Sequence, residues 1–299
     1  MRLSALGPRL SRLLADYYLG PDHPMKLRLW SWLRRSTGHP LLKMPYCVRG
    51  WIALDERDYV QQRILSDGLY EPEVWEALFS FASDSEVLWD IGAHVGTFTV
   101  RSMLDSRVAV VHAFEPDPIT LRALQLNVDL NRGLGSQCVI CNLALGADSG
   151  NSILHRGPAQ NIGMSSIAYQ PSGDAFSVQR TSIDQLVFQE GMHPPTLMKI
   201  DVEGSERDLL LGGKQFFQTY TPKAVVIEAE ANPDGTLRDP SVVEPLLAAG
   251  YEIGPLLRPK GEMWPRENYL AVPAAVGVAR VSSFVRKETD TSSLRKVRT

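Results

Sequence analysis

Residues 89–96 read Trp89-Asp90-Ile91-Gly92-Ala93-His94-Val95-Gly96, and their reading decides the fold. An apolar run, Val87-Leu88-Trp89, leads into them, and Thr97, Phe98, Val100, Met103 and Leu104 follow in a helix-like pattern. Strand, glycine loop and helix in that order bring a backbone close to a nucleotide-like ligand. Gly92 and Gly96 can take positive φ and carry no Cβ, so the turn can be tight and a ligand can lie against it. Asp90 points an acceptor out of the strand's carboxyl end. The next apolar run, 108–114, ends at Glu115-Pro116. A carboxylate in that place can accept hydrogen bonds from both hydroxyls of a ribose.

Glycine spacing separates the ribose-containing ligands. A dinucleotide site uses G-x-G-x-x-G, which seats a pyrophosphate on the helix N-terminus. Here Gly92 and Gly96 stand four apart with no third glycine, and no Tyr-x-x-x-Lys pair is present. A nicotinamide-dependent oxidoreductase is therefore the weaker alternative. The Asp-x-Gly-x-x-x-Gly loop with Glu115 downstream resembles the S-adenosylmethionine site of a class I methyltransferase.

Alternation of short apolar runs with amphipathic segments continues along the chain. Strands are expected at 87–90, 108–114, 138–143, 197–202 and 224–228, with plausible final strands at 251–253 and 269–276. Helices are expected at 72–81, 97–104, 119–130, 206–211 and 242–249. Repeated βα units with right-handed crossovers imply a doubly wound, mostly parallel sheet whose ligands bind at the strands' carboxyl ends. Between 150 and 182 the alternation fails: β-like runs at 152–154 and 177–181 flank a polar segment, read as an inserted hairpin or flap. Residues 1–54 read as an extension of helices and loops, broken by Gly20-Pro21, His39-Pro40 and Pro45. The catalytic domain is expected over 55–285, and the polar tail 286–299 as disordered.

Lys199-Ile200-Asp201-Val202-Glu203-Gly204-Ser205-Glu206 is the second informative stretch. Lys199, Asp201 and Glu203 share one face for as long as the strand continues. Three ionisable groups at the carboxyl end of a central strand make an unusual core. Asp201 or Glu203 is a candidate base for an acceptor hydroxyl, with Glu228 and Glu230 placed after the fifth strand. Lys199 is either part of that machinery or an ion-pair partner.

With these residues in view the chain is similar to the FkbM-like methyltransferases over about residues 55–230. The similarity rests on the loop from Asp90 to Gly96, Ala113-Phe114-Glu115-Pro116, Asn127, Leu145-Gly146, Asn161-x-Gly163, Thr181-Ser182-Ile183-Asp184 and Lys199-Ile-Asp-Val-Glu-Gly-x-Glu206. It implies a Rossmann-like, seven-stranded class I fold with a β insert, and S-adenosyl-L-methionine as cofactor. It also implies O-methylation, often of sugars in glycolipids, polysaccharides or natural products. The cofactor contacts it assigns are Asp90, Gly92, Ala93, His94, Gly96, Glu115, Pro116, Asn142, Ala144 and Asp201. Catalysis goes to Lys199, Asp201 and Glu203, and acceptor binding to Asn161, Ser165, Glu228 and Glu230. His94 departs from the family, which more often has Asn. A non-catalytic cofactor-binding scaffold is the other alternative, and the intact Asp90, Glu115, Asp201 and Glu203 argue against it.

Composition narrows the remaining classes. Hydrophobic content of 44% and charged content of 22% are those of an ordinary globular protein. A formal net charge of −3 gives no reason to expect nucleic acid as a partner. The first 50 residues nevertheless carry nine Lys and Arg against two Asp. Leu3, Leu6, Leu10, Leu13, Leu14 and Tyr17 recur there at helical spacing, a pattern able to lie on an anionic membrane surface. Arg9 and Arg12 break any signal-peptide core, and no apolar run spans a membrane. A cytoplasmic protein is expected, with peripheral contact at the inner membrane surface left open. Cys138 and Cys141 fall on opposite faces of an expected strand, a poor redox or metal geometry. No tight metal-ligand spacing occurs, and no metal is expected. His112, His155 and His193 read as structural or surface histidines.

Overall fold

The computed structural model describes residues 41–55, 58–157, 165–168, 174–256 and 266–277. The basic segment 1–40, Asn161 with Gly163, and the tail 286–299 lie outside the described residues.

A seven-stranded sheet carries the fold. Its strands are β3 (Glu86–Ile91), β4 (Val108–Phe114), β5 (Gln137–Cys141), β9 (Leu197–Ile200), β10 (Ala224–Glu230), β11 (Tyr251–Pro255) and β12 (Arg266–Pro273). They lie in the order β11-β12-β10-β9-β3-β4-β5. Neighbours from β10 to β5 are parallel, and only β12 runs antiparallel, against β10 and β11. This is the doubly wound, mostly parallel arrangement expected from the alternation of βα units, and its seven strands are those of the Rossmann-like fold that the resemblance implies.

Both faces are covered, so the central strands are apolar throughout rather than alternating. Trp89, Ile91, Met198, Ile200, Val225 and Ile227 pack on one face against α5 (Glu206–Leu211) and α6 (Lys214–Thr219). Leu88, Val111, Leu197, Val226 and Leu270 pack on the other, against α2 (Pro72–Phe79), α3 (Thr97–Met103) and α4 (Pro118–Asp129). Asp117 caps α4, accepting from the Ile119 N–H at 2.8 Å, with Pro118 in the first turn.

The insert is a separate three-stranded sheet, ordered β6-β8-β7, of β6 (Ala144–Leu145), β7 (Gly150–His155) and β8 (Ala175–Thr181). β7 and β8 form the antiparallel pair of the expected hairpin. The strand expected over 138–143 ends at Cys141, because Asn142 turns the chain toward β6. The helix expected over 242–249 is a 3-10 turn, Pro240–Val243, running into α7 (Glu244–Ala248).

The expectation of helices and loops up to residue 54 fails where the chain is described. Leu42–Tyr46 (β1) and Gly50–Leu54 (β2) form an antiparallel hairpin, and α1 (Tyr59–Asp67) follows it. Pro45 sits inside β1, which among the described residues pairs only with β2, so the proline is on an edge strand, where a missing N–H is tolerated. Met44, Tyr46, Ile52 and Leu54 pack with Ile64, Leu65, Val95 and Val100. Asn127 and Asn131 extend the hairpin's bonding. Asn127 exchanges hydrogen bonds with both backbone groups of Ala53, and Asn131 with those of Trp51.

Candidate active site

The loop after β3 is held by the sheet itself. The N–H groups of Gly92 and Ala93 donate to the Phe114 carbonyl at 3.0 and 2.9 Å. Gly92 has φ +83°, and a Cβ there would lie 1.7 Å from the Asp201 carbonyl oxygen. Gly96 (φ +87°) would press a Cβ against Leu124. Both glycines take the expected positive φ, and the room that a Cβ would fill is taken by the protein's own chain. His94 also takes positive φ, +52°. Asn and His tolerate that region better than most residues, which accounts for the departure from Asn. Asn127 Nδ2 ties the loop down by donating to the Val95 carbonyl at 2.8 Å.

Glu115 is buried at the end of β4 with both oxygens engaged by backbone. Oε2 accepts from the His94 N–H at 2.9 Å, and Oε1 from the Asp117 N–H at 2.8 Å. Burial pushes its carboxyl up to about 8, against the pull of those two N–H groups. Asn142 Nδ2 donates to the Glu115 and Pro116 carbonyls and fixes the turn. Ala144 lies buried in β6 close behind it in the chain.

Asp90 is fully buried. Its Oδ2 accepts from the Thr99 hydroxyl, while Oδ1 meets no hydrogen-bond donor among the described residues. Burial raises its pKa, with Lys199 opposing. These groups fit S-adenosylmethionine. Glu115 offers carboxyl oxygens at the ribose position of a class I site, and Asp90 keeps one buried oxygen for a donor. Both stand at strand carboxyl ends, beside a loop whose N–H groups are already ordered.

The second constellation gathers differently from its sequence spacing. β9 stops at Ile200, one residue before Asp201, and Glu203 takes φ +51°. A continued strand face therefore does not align the three charges; the turn does. Lys199 Nζ donates to Asp201 Oδ2 at 2.9 Å and lies 5.8 Å from the Phe98 ring centre. Burial works to lower the Lys199 pKa, but Asp201, Asp90 and Glu71 outweigh it and raise it. Burial likewise works to raise Asp201, but Lys199 holds it below the usual carboxylate range.

Glu228 lies within β10, not after it, and side-chain oxygens of Asp201, Glu203 and Glu228 all come within 4.8 Å of one another. Such a trio is close enough for a cation, and no spacing in the sequence shows it because Glu228 comes from another strand. A protein cation already faces it. Arg266 Nε donates to Glu228 Oε2 at 2.9 Å and lies 3.6 Å from Glu203 Oε2, while Nη2 pairs with Glu206 Oε1. Glu230 is not brought into this group; its carboxylate pairs with Arg238 on the surface at 2.7 Å.

The insert reaches both halves of the site. Arg156 binds Asp117 through two hydrogen bonds of 2.8 and 2.9 Å, and Ser166 Oγ donates to the Glu203 carbonyl at 2.6 Å. Ser165 Oγ closes a turn by accepting from the Gly157 N–H. Thr181 to Asp184 serve the scaffold: Asp184 caps α6, accepting from the N–H groups of Gln215 and Phe216. Cys138 and Cys141 are free thiols pushed up by burial, to about 12 and about 11. His112 lies inside β4, packed against Trp89 with ring centres 6.1 Å apart.

The residues that sequence reasoning missed are Arg266, Glu206 as its partner, and Glu71. Glu71 precedes α2 with φ +44° and is held by Asn268 Nδ2 at 2.9 Å. The one available signal was an arginine and an asparagine opening an apolar strand near 269.

Comparison with known proteins identifies the family. The chain is similar to the hexuronic acid methyltransferase AglP of Haloferax volcanii, 29% identical over 208 residues, covering 69% of this chain and 83% of that protein. It is similar also to the 31-O-demethyl-FK506 methyltransferase FkbM of Streptomyces tacrolimicus, 25% identical over 159 residues, 42% of this chain and 59% of that one. A crystal structure of methyltransferase FkbM from Methylobacillus flagellatus matches with TM-score 0.44 and 16% identity, over 83% of this chain and 71% of that one. The family described as the methyltransferase FkbM domain matches residues 90–253, more than half of the chain. The chain belongs to the FkbM family of S-adenosylmethionine-dependent methyltransferases.

Proposed function

We propose that this enzyme methylates a sugar hydroxyl, with Asp201 taking the hydroxyl proton. The carrying observation is the ionised Asp201 between Lys199 and the Glu203–Glu228 pair, at the carboxyl end of a central strand. AglP, which acts on a hexuronic acid, supports a glycan or small-molecule acceptor.

When bound, S-adenosylmethionine supplies a methyl group on a sulfonium. Glu115 would hold its ribose, and Asp90 and the 92–96 backbone its remaining polar groups. Asp201 accepts the acceptor's proton as the hydroxyl oxygen forms its bond to carbon; the sulfur keeps the electron pair of the broken bond. Lys199 keeps Asp201 ionised before that step. Glu203 and Glu228 offer further oxygens to neighbouring hydroxyls of the sugar, and Ser165 and the insert wall the acceptor side. Alignment of the reacting atoms and exclusion of water supply most of the acceleration. The β1–β2 hairpin shares a core with α3, so the catalytic unit is read as starting before residue 55.

The test is a mass-spectrometric screen of uronic-acid and neutral-sugar glycosides with S-adenosylmethionine. Gain of one methyl group on a sugar oxygen supports the reading. Transfer to nitrogen or carbon acceptors alone overturns it.

A further inference from the structure

Arg266 opens β12, beyond residue 253 where the family match ends, and no motif marks it. Its side chain is nonetheless the hub of the acid cluster. The guanidinium meets Glu228 at 2.9 Å and Glu203 at 3.6 Å, binds Glu206, and donates through Nη2 to the Glu228 carbonyl at 3.3 Å. Glu206 in turn accepts from the Gly204 N–H at 2.9 Å, tying the cluster to the turn that carries Glu203. One planar fork thus touches three carboxylates on three elements, a geometry a lysine ammonium cannot reproduce.

Resting on the reading of Asp201 as base, we propose that Arg266 is a positioning residue for methyl transfer: it locks Glu203 and Glu228 against Asp201 so that the base faces the acceptor ionised and aimed. The charged groups of the cluster are Glu71 before α2, Lys199 and Asp201 at the end of β9, Glu203 and Glu206 around the start of α5, Glu228 in β10, and Arg266 itself. Five are acids and only two are cations. Burial, then Asp201 and Glu71, push Glu228 well above the usual carboxylate range, and Glu228 hydrogen-bonds Asp201. Removing Arg266 takes away one of the two charges that let Asp201 stay ionised in that company.

The experiment needs no acceptor. Carboxyl-labelled full-length protein, wild type, R266Q and R266K, is titrated by NMR, with Asp201 and Glu228 signals assigned through D201N and E228Q. S-adenosylhomocysteine binding is measured on the same samples. In R266Q the apparent midpoints of the Asp201–Glu228 pair are expected to move up by about one pH unit or more. S-adenosylhomocysteine affinity is expected to stay within about twofold of wild type, and the R266K midpoints to fall between the two. Midpoints unchanged in R266Q overturn the proposal; so do midpoints that move only together with loss of cofactor binding, the mark of a general structural prop. Should R266Q not fold, R266K decides: a smaller upward movement supports the proposal, and none overturns it. The role of Asp201 itself is judged by turnover of D201N, so it can fail while the titration stands.

Discussion

Gly92 and Asp201 touch backbone to backbone: the carbonyl oxygen of Asp201 occupies the place where a side chain on Gly92 would begin. The Asp201 N–H donates to the Ile91 carbonyl at 2.9 Å beside that contact. The cofactor loop and the acid loop are thus one joint, and a change in either displaces the other. Gly92→Ala is expected to cost about 3 kcal/mol or more, since strain at positive φ adds to a collision with backbone. Gly68→Ala is the control. Gly68 has φ +82° but open space around it, so only about 1–2 kcal/mol of backbone strain is expected. Urea unfolding of the two variants checks the contrast.

Glu115→Ala is expected to abolish S-adenosylmethionine binding in calorimetry while the protein remains folded. Glu115→Gln tests its titration. The folded protein holds this proton up to about 8, whereas its ordinary value is 4.5. Between those values the native state binds more protons than the unfolded one, so this group lowers stability as pH rises. In Glu115→Gln that contribution disappears. Stability should then decline less from pH 5 to pH 8 than in wild type, by up to about 1.4 kcal/mol per pH unit. Equal slopes in the two proteins would contradict it.

Asp201→Asn is expected to lower turnover by about 10²–10⁴-fold and to leave cofactor affinity nearly unchanged. Unaltered turnover with an acceptor found by screening would remove Asp201 from the chemistry.

Arg266 and Lys199 already face the acidic groups, so exhaustive chelation is expected to leave methyl transfer intact. Activity lost on chelation and restored by a single divalent cation would contradict this.

Asn127→Ala is expected to cost about 3 kcal/mol, because it strips partners from buried backbone groups of Ala53 and Val95. The denaturant midpoint should fall with its slope unchanged.

The βα frame was legible because its signals are local. The 108–114 run became β4 with the bounds expected, and 206–211 became α5. Glu115 was legible for the same reason, since it follows its strand directly. The hairpin at 42–54 was not: Pro45 reads as a breaker, and its stabilising partners, Asn127 and Asn131, lie some eighty residues away. Arg266 shows the same limit more sharply. Its partners Glu203, Glu206 and Glu228 are brought to it by sheet order, and no period or spacing encodes that. Lys199, Asp201 and Glu203 were found through a strand alternation that the chain in fact abandons at Ile200.

The placement of β12 has a consequence for the order of synthesis. This strand, late in the sequence, lies between β10 and β11, both made before it. While a ribosome has yet to extrude residues 266–273, the long edge of β10 has no partner, and exposed edges invite wrong pairing. Over the same interval the carboxylates of Glu203, Glu206 and Glu228 lack the guanidinium that joins them. A nascent chain therefore gains this internal strand and its guanidinium-bridged acid cluster in a single event, and a chain stopped short of residue 266 has neither.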